Sequence, residues 1–185
     1  MKKSLISLIF VVAATCSCTS ASNKQGQEAA ESSQETVESS MDTLESLSAE
    51  EATEAPDFTL NDINGQPLKL SSLRGKYVIL DFWGSWCVWC IKGMPKMKEY
   101  YQKYAGKFEI LGIDCNDPEE KWKAAVAKYE LPWLHVYNTD DSGVLEQYAI
   151  QGFPTKIIVG PDGKIVKTII GEDPAFYTLL DKLFK

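Results

Sequence analysis

"DFWGSWCVWCIKGMP", Asp81 to Pro95, holds two cysteines, Cys87 and Cys90, separated by two residues and set among Trp83, Trp86 and Trp89. The stretch opens inside "KYVILDFW", an apolar run of strand length that predicts a buried central strand. After Cys87, the residues Met94, Met97, Tyr100, Tyr101 and Tyr104 recur at near-helical spacing, and Gly106 marks a stop. Pro95 predicts a kink in that helix. The cysteines therefore sit at a strand-to-helix junction. The first thiol lies at a helix N-terminus, where free N–H groups and the dipole favour negative charge. That environment lowers a thiol pKa and supplies thiolate, the reactive form. The second thiol, one turn further on, is placed to close a disulfide and release a partner. On this logic Cys87 is the nucleophile and Cys90 the resolving thiol.

The elements around this junction alternate. "PDFTL" and "PLKL" flank the turn-rich "NDINGQ" and predict a short hairpin. After the central strand and helix come a second strand, "KFEILGID", a helix, "PEEKWKAAVAKYE", and a strand at "PWLHVYN". A short helix at "SGVLEQYAI" follows. "PTKIIVG" and "KIVKTIIG" then form two strands joined at "PDG", and "DPAFYTLLDKLFK" is a closing helix capped by Asp173. Alternating strands and helices predict a layered α/β domain over residues 56–185.

The N-terminal third has another texture. Lys2 and Lys3 precede a short apolar run, Leu5 to Ala14, well below the roughly 20 residues that span a bilayer. "AATCSCTS" follows. This pattern resembles a lipoprotein signal peptide over residues 1–18, with Cys18 the lipidated residue and Cys16 the alternative. Residues 19–55 are rich in Ser, Glu, Ala and Thr and have no aromatic side chain, which predicts a flexible acidic tether. Residues 20–55 carry a net charge of −8, whereas residues 56–185 are almost neutral at −1. The acidity belongs to the tether, and nothing in the balance suits nucleic acid. A neutral domain suits partners bound by shape and backbone rather than charge. An exported chain also permits disulfides.

"VILDFWGSWCVWC" resembles the thioredoxin active-site strand and loop, and "GFPT", Gly152 to Thr155, resembles that family's cis-proline loop. With "PDFTLNDINGQPLKLSSLRGK" in front, the chain resembles the exported TlpA/ResA branch of thiol-disulfide oxidoreductases from Pro56 to Lys185. The resemblance implies a three-layer α/β/α fold with a central mixed β-sheet and an N-terminal β-hairpin extension. It implies that Cys87 and Cys90 are the redox pair, that Trp86 shields them, and that the backbone at Phe153, before a cis Pro154, pairs with a bound partner. Asp81 matches a buried carboxylate. Burial raises its pKa, so it can take the proton of Cys90. Two departures stand out. Val88-Trp89 replaces the Gly-Pro of thioredoxin between the cysteines, and Gly93 stands where the exported branch often has glutamate.

Other chemistries fit less well. A structural zinc site needs four ligands, and this domain has one cysteine pair, one further cysteine and His135. A copper-binding or delivery module using Cys87, Cys90 and His135 is the alternative. A peroxidase of the related peroxiredoxin class would place a lone cysteine in a Pro-Thr-Cys context, which is absent. Cys115 is read as a packed thiol, with a third redox thiol or a partner disulfide as alternatives. Trp83 is expected in the core, while Trp86, Trp89 and Trp133 are expected at an aromatic rim, with Trp89 touching substrate. The expected partners are protein thiols and disulfides, an electron donor in the membrane, and the membrane itself through the lipid. The expected location is periplasmic. No metal or organic cofactor is implied.

Overall fold

The computed structural model describes residues 53–185. The signal peptide, the candidate lipidation residues Cys16 and Cys18 and nearly all of the tether lie outside them. The described chain makes contacts before Pro56. Thr53 accepts a hydrogen bond from the Ile165 N–H, Glu54 bridges to Lys164, and the Ala55 N–H donates to Gly163.

The elements run β1 (Thr59–Asp62), β2 (Pro67–Lys69), β3 (Tyr77–Trp83), α1 (Val88–Lys103), β4 (Phe108–Asp114) and α2 (Glu119–Lys128). They continue with β5 (Leu134–Tyr137), α3 (Val144–Gln147), β6 (Thr155–Val159), β7 (Ile165–Ile170) and α4 (Pro174–Phe184). One seven-stranded sheet has the order β2-β1-β5-β4-β3-β6-β7. β3 runs parallel to β4, and β4 to β5, while β6, β7 and the β1–β2 pair run antiparallel to their neighbours. At the β1–β2 turn, the Asp62 carboxylate accepts the N–H groups of Asn64 and Gln66, each at 2.8 Å, and Gly65 takes a positive φ of 78°.

β3 is central because its residues suit burial on both faces. Val78, Leu80 and Phe82 enter one apolar cluster, with the hairpin, Val144 of α3 and Tyr148 just beyond it. Ile79 and Trp83 enter the other, with α1, α2 and α4. Side chains alternate along a strand, so Asp81, between Ile79 and Trp83, lies on the face that carries Cys87 and Cys90. The expected kink at Pro95 does not divide the helix, which is continuous over Val88–Lys103 with Pro95 inside it. Asp173 caps α4 by accepting the Ala175 N–H at 2.8 Å. Among the described residues, no helix is long and apolar enough to cross a membrane.

Candidate active site

Cys87 and Cys90 form a disulfide with an S–S distance of 2.07 Å. Cys87 is the N-cap of α1, and its Sγ accepts the Cys90 N–H at 3.1 Å. A sulfur in that place receives one of the free N–H groups that every helix start presents. The same contact would hold a thiolate on Cys87 once the bond is reduced. Cys90 lies inside the first turn, buried against Met94 and the sheet.

The loop before the pair is tied to the loop after β4. The Ser85 hydroxyl donates to Asp117 at 2.6 Å, and the Ser85 N–H donates to the other carboxylate oxygen. The Trp86 indole N–H donates to the Cys115 carbonyl at 2.9 Å. Trp86 packs edge-on against Phe153, with ring centroids 5.2 Å apart, and the Phe153–Pro154 peptide is cis. Trp86, Val88 and Trp89 are exposed, so an apolar rim surrounds the disulfide. Lys92 lies over the Trp89 ring, 4.5 Å from its centroid. Trp133 is not part of this rim. It is buried, packed against Tyr101 and His135, because its position ahead of β5 turns its ring into the layer beneath α1.

Asp81 is 3% exposed, which removes the water-facing role that a strand-end carboxylate has. Burial pushes its pKa up to about 6, against the pull of the Lys156 ammonium and with a smaller push from Glu172. Lys156 pairs with Asp81 across β3 and β6, and its Nζ stands 3.9 Å from Asp81 Oδ1, too far for a hydrogen bond. The same Nζ donates to Glu172 at 2.9 Å. Glu172 also accepts the Tyr177 hydroxyl at 2.7 Å. A Cβ built on Gly93 would overlap the Glu172 carboxyl group, so Glu172 fills the space that a side chain at position 93 would enter. Lys156 and Glu172 were not legible as site residues. A lysine within "TKIIV" is the one local signal, since lysine is almost never fully buried without a partner.

Two candidates leave the site. Cys115 is fully buried, and its thiol packs in the cluster on the opposite sheet face from the disulfide. Burial first, and neighbouring carboxyls after it, push its pKa far up, which suits a packed thiol set apart from the pair. His135 lies in β5 beside Trp83 and Trp133, and burial lowers its pKa to about 4. Among the described residues, no three His, Cys, Asp or Glu side chains converge as metal ligands. The copper module built on Cys87, Cys90 and His135 therefore lacks its geometry.

A model of the AhpC/TSA family matches residues 52–168. The chain belongs to the AhpC/TSA family. Within it, this AhpC/TSA chain is similar to proteins named thiol-disulfide oxidoreductase ResA. That of Bacillus cereus is 39% identical over 120 residues, covering 64% of this chain and 69% of the relative. That of Bacillus subtilis is 34% identical over 125 residues, covering 67% and 69%. Among solved structures, the thioredoxin domain of a thiol-disulfide oxidoreductase from Bacteroides vulgatus superposes with a TM-score of 0.67 at 34% identity. It covers 72% of this chain and 97% of that one. A thiol:disulfide interchange protein from Bacteroides sp. gives 0.65 at 36% identity, covering 72% and 89%. The fold is thioredoxin-like. With the Cys87–Cys90 bond at its centre, the AhpC/TSA chain is a thiol-disulfide oxidoreductase.

Proposed function

We propose that the chain exchanges its Cys87–Cys90 dithiol and disulfide with other proteins outside the cytoplasm, held to a membrane by lipid on Cys18. The observation that carries the direction of attack is the N-cap position of Cys87, with its sulfur on the Cys90 N–H. As a reductant, the Cys87 thiolate attacks a partner disulfide and forms a mixed disulfide, releasing one partner thiolate. Asp81 takes the Cys90 proton, and the Cys90 sulfur attacks Cys87. The second partner thiolate leaves and picks up a proton. The partner gains two electrons, and the pair is left oxidised. Trp86, Trp89 and Phe153 present an apolar, shape-based platform, and the backbone at Phe153 and Pro154 receives the partner strand.

The reduction potential of the mature chain, titrated against glutathione or dithiothreitol, decides the working direction. A value near about −270 mV gives a reductant that draws on an electron donor in the membrane, and one near about −120 mV gives a disulfide donor. Cys87→Ser is expected to abolish exchange, and Cys90→Ser to accumulate mixed disulfides. Full exchange by Cys87→Ser would sink the reading. Cys18→Ser is expected to move the protein out of the membrane fraction; retention there would overturn the anchor.

A further inference from the structure

Beneath the disulfide, Asp81 belongs to a charged chain whose other members the reaction above does not use. Lys156 is 2% exposed, a lysine in a strand whose every residue is buried. Burying an ammonium is costly unless it is paired and hydrogen-bonded. One carboxylate would pair it, yet two approach. Glu172 takes the hydrogen bond at 2.9 Å, and Asp81 is left at 3.9 Å with Oδ1 unbonded among the described residues. Tyr177 links the chain onward. Its hydroxyl lies 2.7 Å from Glu172 and 3.4 Å from the carbonyl of Gly93, three residues after Cys90. The bare α-carbon of Gly93 is what admits the Glu172 carboxylate to this layer.

We propose that Lys156 and Glu172 are positioning residues that together set the proton affinity of Asp81, and through it the pH at which Cys90 resolves a mixed disulfide. The proposal rests on Asp81 as proton acceptor. Lys156 favours the charged form of Asp81. Glu172 opposes it twice, by its own charge and by holding the ammonium away. The other titratable groups around Asp81 are Tyr177 from α4, Asp114 at the end of β4 on the same sheet face, Cys115 just after β4, Cys90 from α1 and His135 from β5, beyond Gly112 in the same row of the sheet. Tyr177 and Cys115 stay neutral because burial pushes both far up, His135 stays neutral above about pH 4, and Asp114, pushed up to about 8 by burial and then by Asp117, is common to every variant compared.

The test isolates the Cys90 step. Reduced protein is mixed with 5,5′-dithiobis(2-nitrobenzoate). Cys87 attacks and frees one nitrothiobenzoate thiolate, leaving a mixed disulfide. Cys90 then gives its proton to Asp81, attacks Cys87 and frees the second thiolate. The reagent gains two electrons and the dithiol becomes a disulfide. The first release reports that each variant is folded and reactive. The second should slow through an acid limb as pH falls. In Lys156→Met that limb is expected to rise by about one pH unit, and in Glu172→Gln to fall by a similar amount. If Lys156→Met does not fold, Lys156→Met with Glu172→Gln removes both charges, and its limb is expected between those of the single changes. Unmoved limbs, or limbs that move the same way in the two single variants, would overturn the proposal. Asp81→Asn separates the two readings. If it leaves the second release untouched, Asp81 is not the acceptor. If it slows that release while the Lys156 and Glu172 variants leave the limb in place, the positioning role alone falls.

Discussion

Asp81 weakens the fold whenever it is ionised, because its folded pKa of about 6 stands above the ordinary 3.8. The folded state binds the proton more tightly than the unfolded chain does. Stability from this group is therefore lost as pH rises from about 4 to above 6, up to about 3 kcal/mol. Asp81→Asn is expected to stabilise the oxidised protein at pH 8 and to change it little at pH 4, as read by denaturant unfolding at both values. Equal effects at the two values would remove the buried charge as the cause. The same substitution should slow Cys90 resolution, so stability and turnover would move in opposite directions. Asp81 itself was visible in "VILDFW" as an acid in an apolar run. Its ammonium neighbour was not, since only the antiparallel register of β3 and β6 brings Lys156 beside it.

At the scale of elements, α1 is fastened to α4 through one carboxylate. Asp181 accepts the Tyr100 hydroxyl at 3.0 Å and the Lys103 ammonium at 2.8 Å, and the Tyr104 hydroxyl also donates to it. These donors, Lys103 first, hold its pKa down at about 2. A depressed carboxylate stabilises the fold above its unfolded pKa of 3.8, and that contribution fades as pH falls toward 2. In Asp181→Asn the part of acid destabilisation between pH 4 and 2 is expected to shrink. Thermal unfolding across that window measures it, and an unchanged slope would show that the tie is screened by solvent. The elements were largely legible from periodicity, because β3 and β4 are buried on both faces and spell continuous apolar runs. Trp133 was misplaced at the rim because a single aromatic beside a proline carries no period. Its ring direction depends on packing with Tyr101 and His135.

For the whole molecule, the distribution of charge matters more than its sum. The domain from residue 56 onward is nearly neutral, and the rim around the disulfide is Trp86, Val88 and Trp89. Docking by apolar shape should depend weakly on ionic strength. The rate with a protein disulfide is expected to change less than about threefold between 0.05 and 0.5 M salt, measured by stopped-flow fluorescence. A steep fall would place charge, from the tether or from Lys92, in the encounter. The cysteine pair, Pro154 and the layered fold were legible because each is a local pattern. The Tyr177–Glu172–Lys156–Asp81 chain was not, because its members come from three parts of the sequence that meet only once the sheet and α4 are assembled.

The bare position at Gly93 ties the mutational fate of two distant residues together. Glycine within a helix costs about 1 kcal/mol relative to alanine, yet alanine here would press its methyl group into the Glu172 carboxyl. A side chain at 93 makes the Glu172 carboxyl, the far end of a flexible side chain, swing aside and disturbs its contacts with Lys156 and Tyr177, and an acid placed at 93 would meet the acid already there. Neither change is free on its own, whereas the exchange of both is a coherent move. The layer beneath the disulfide thus has two addresses for one carboxylate, on the helix or on the loop after β7, and filling one displaces the occupant of the other.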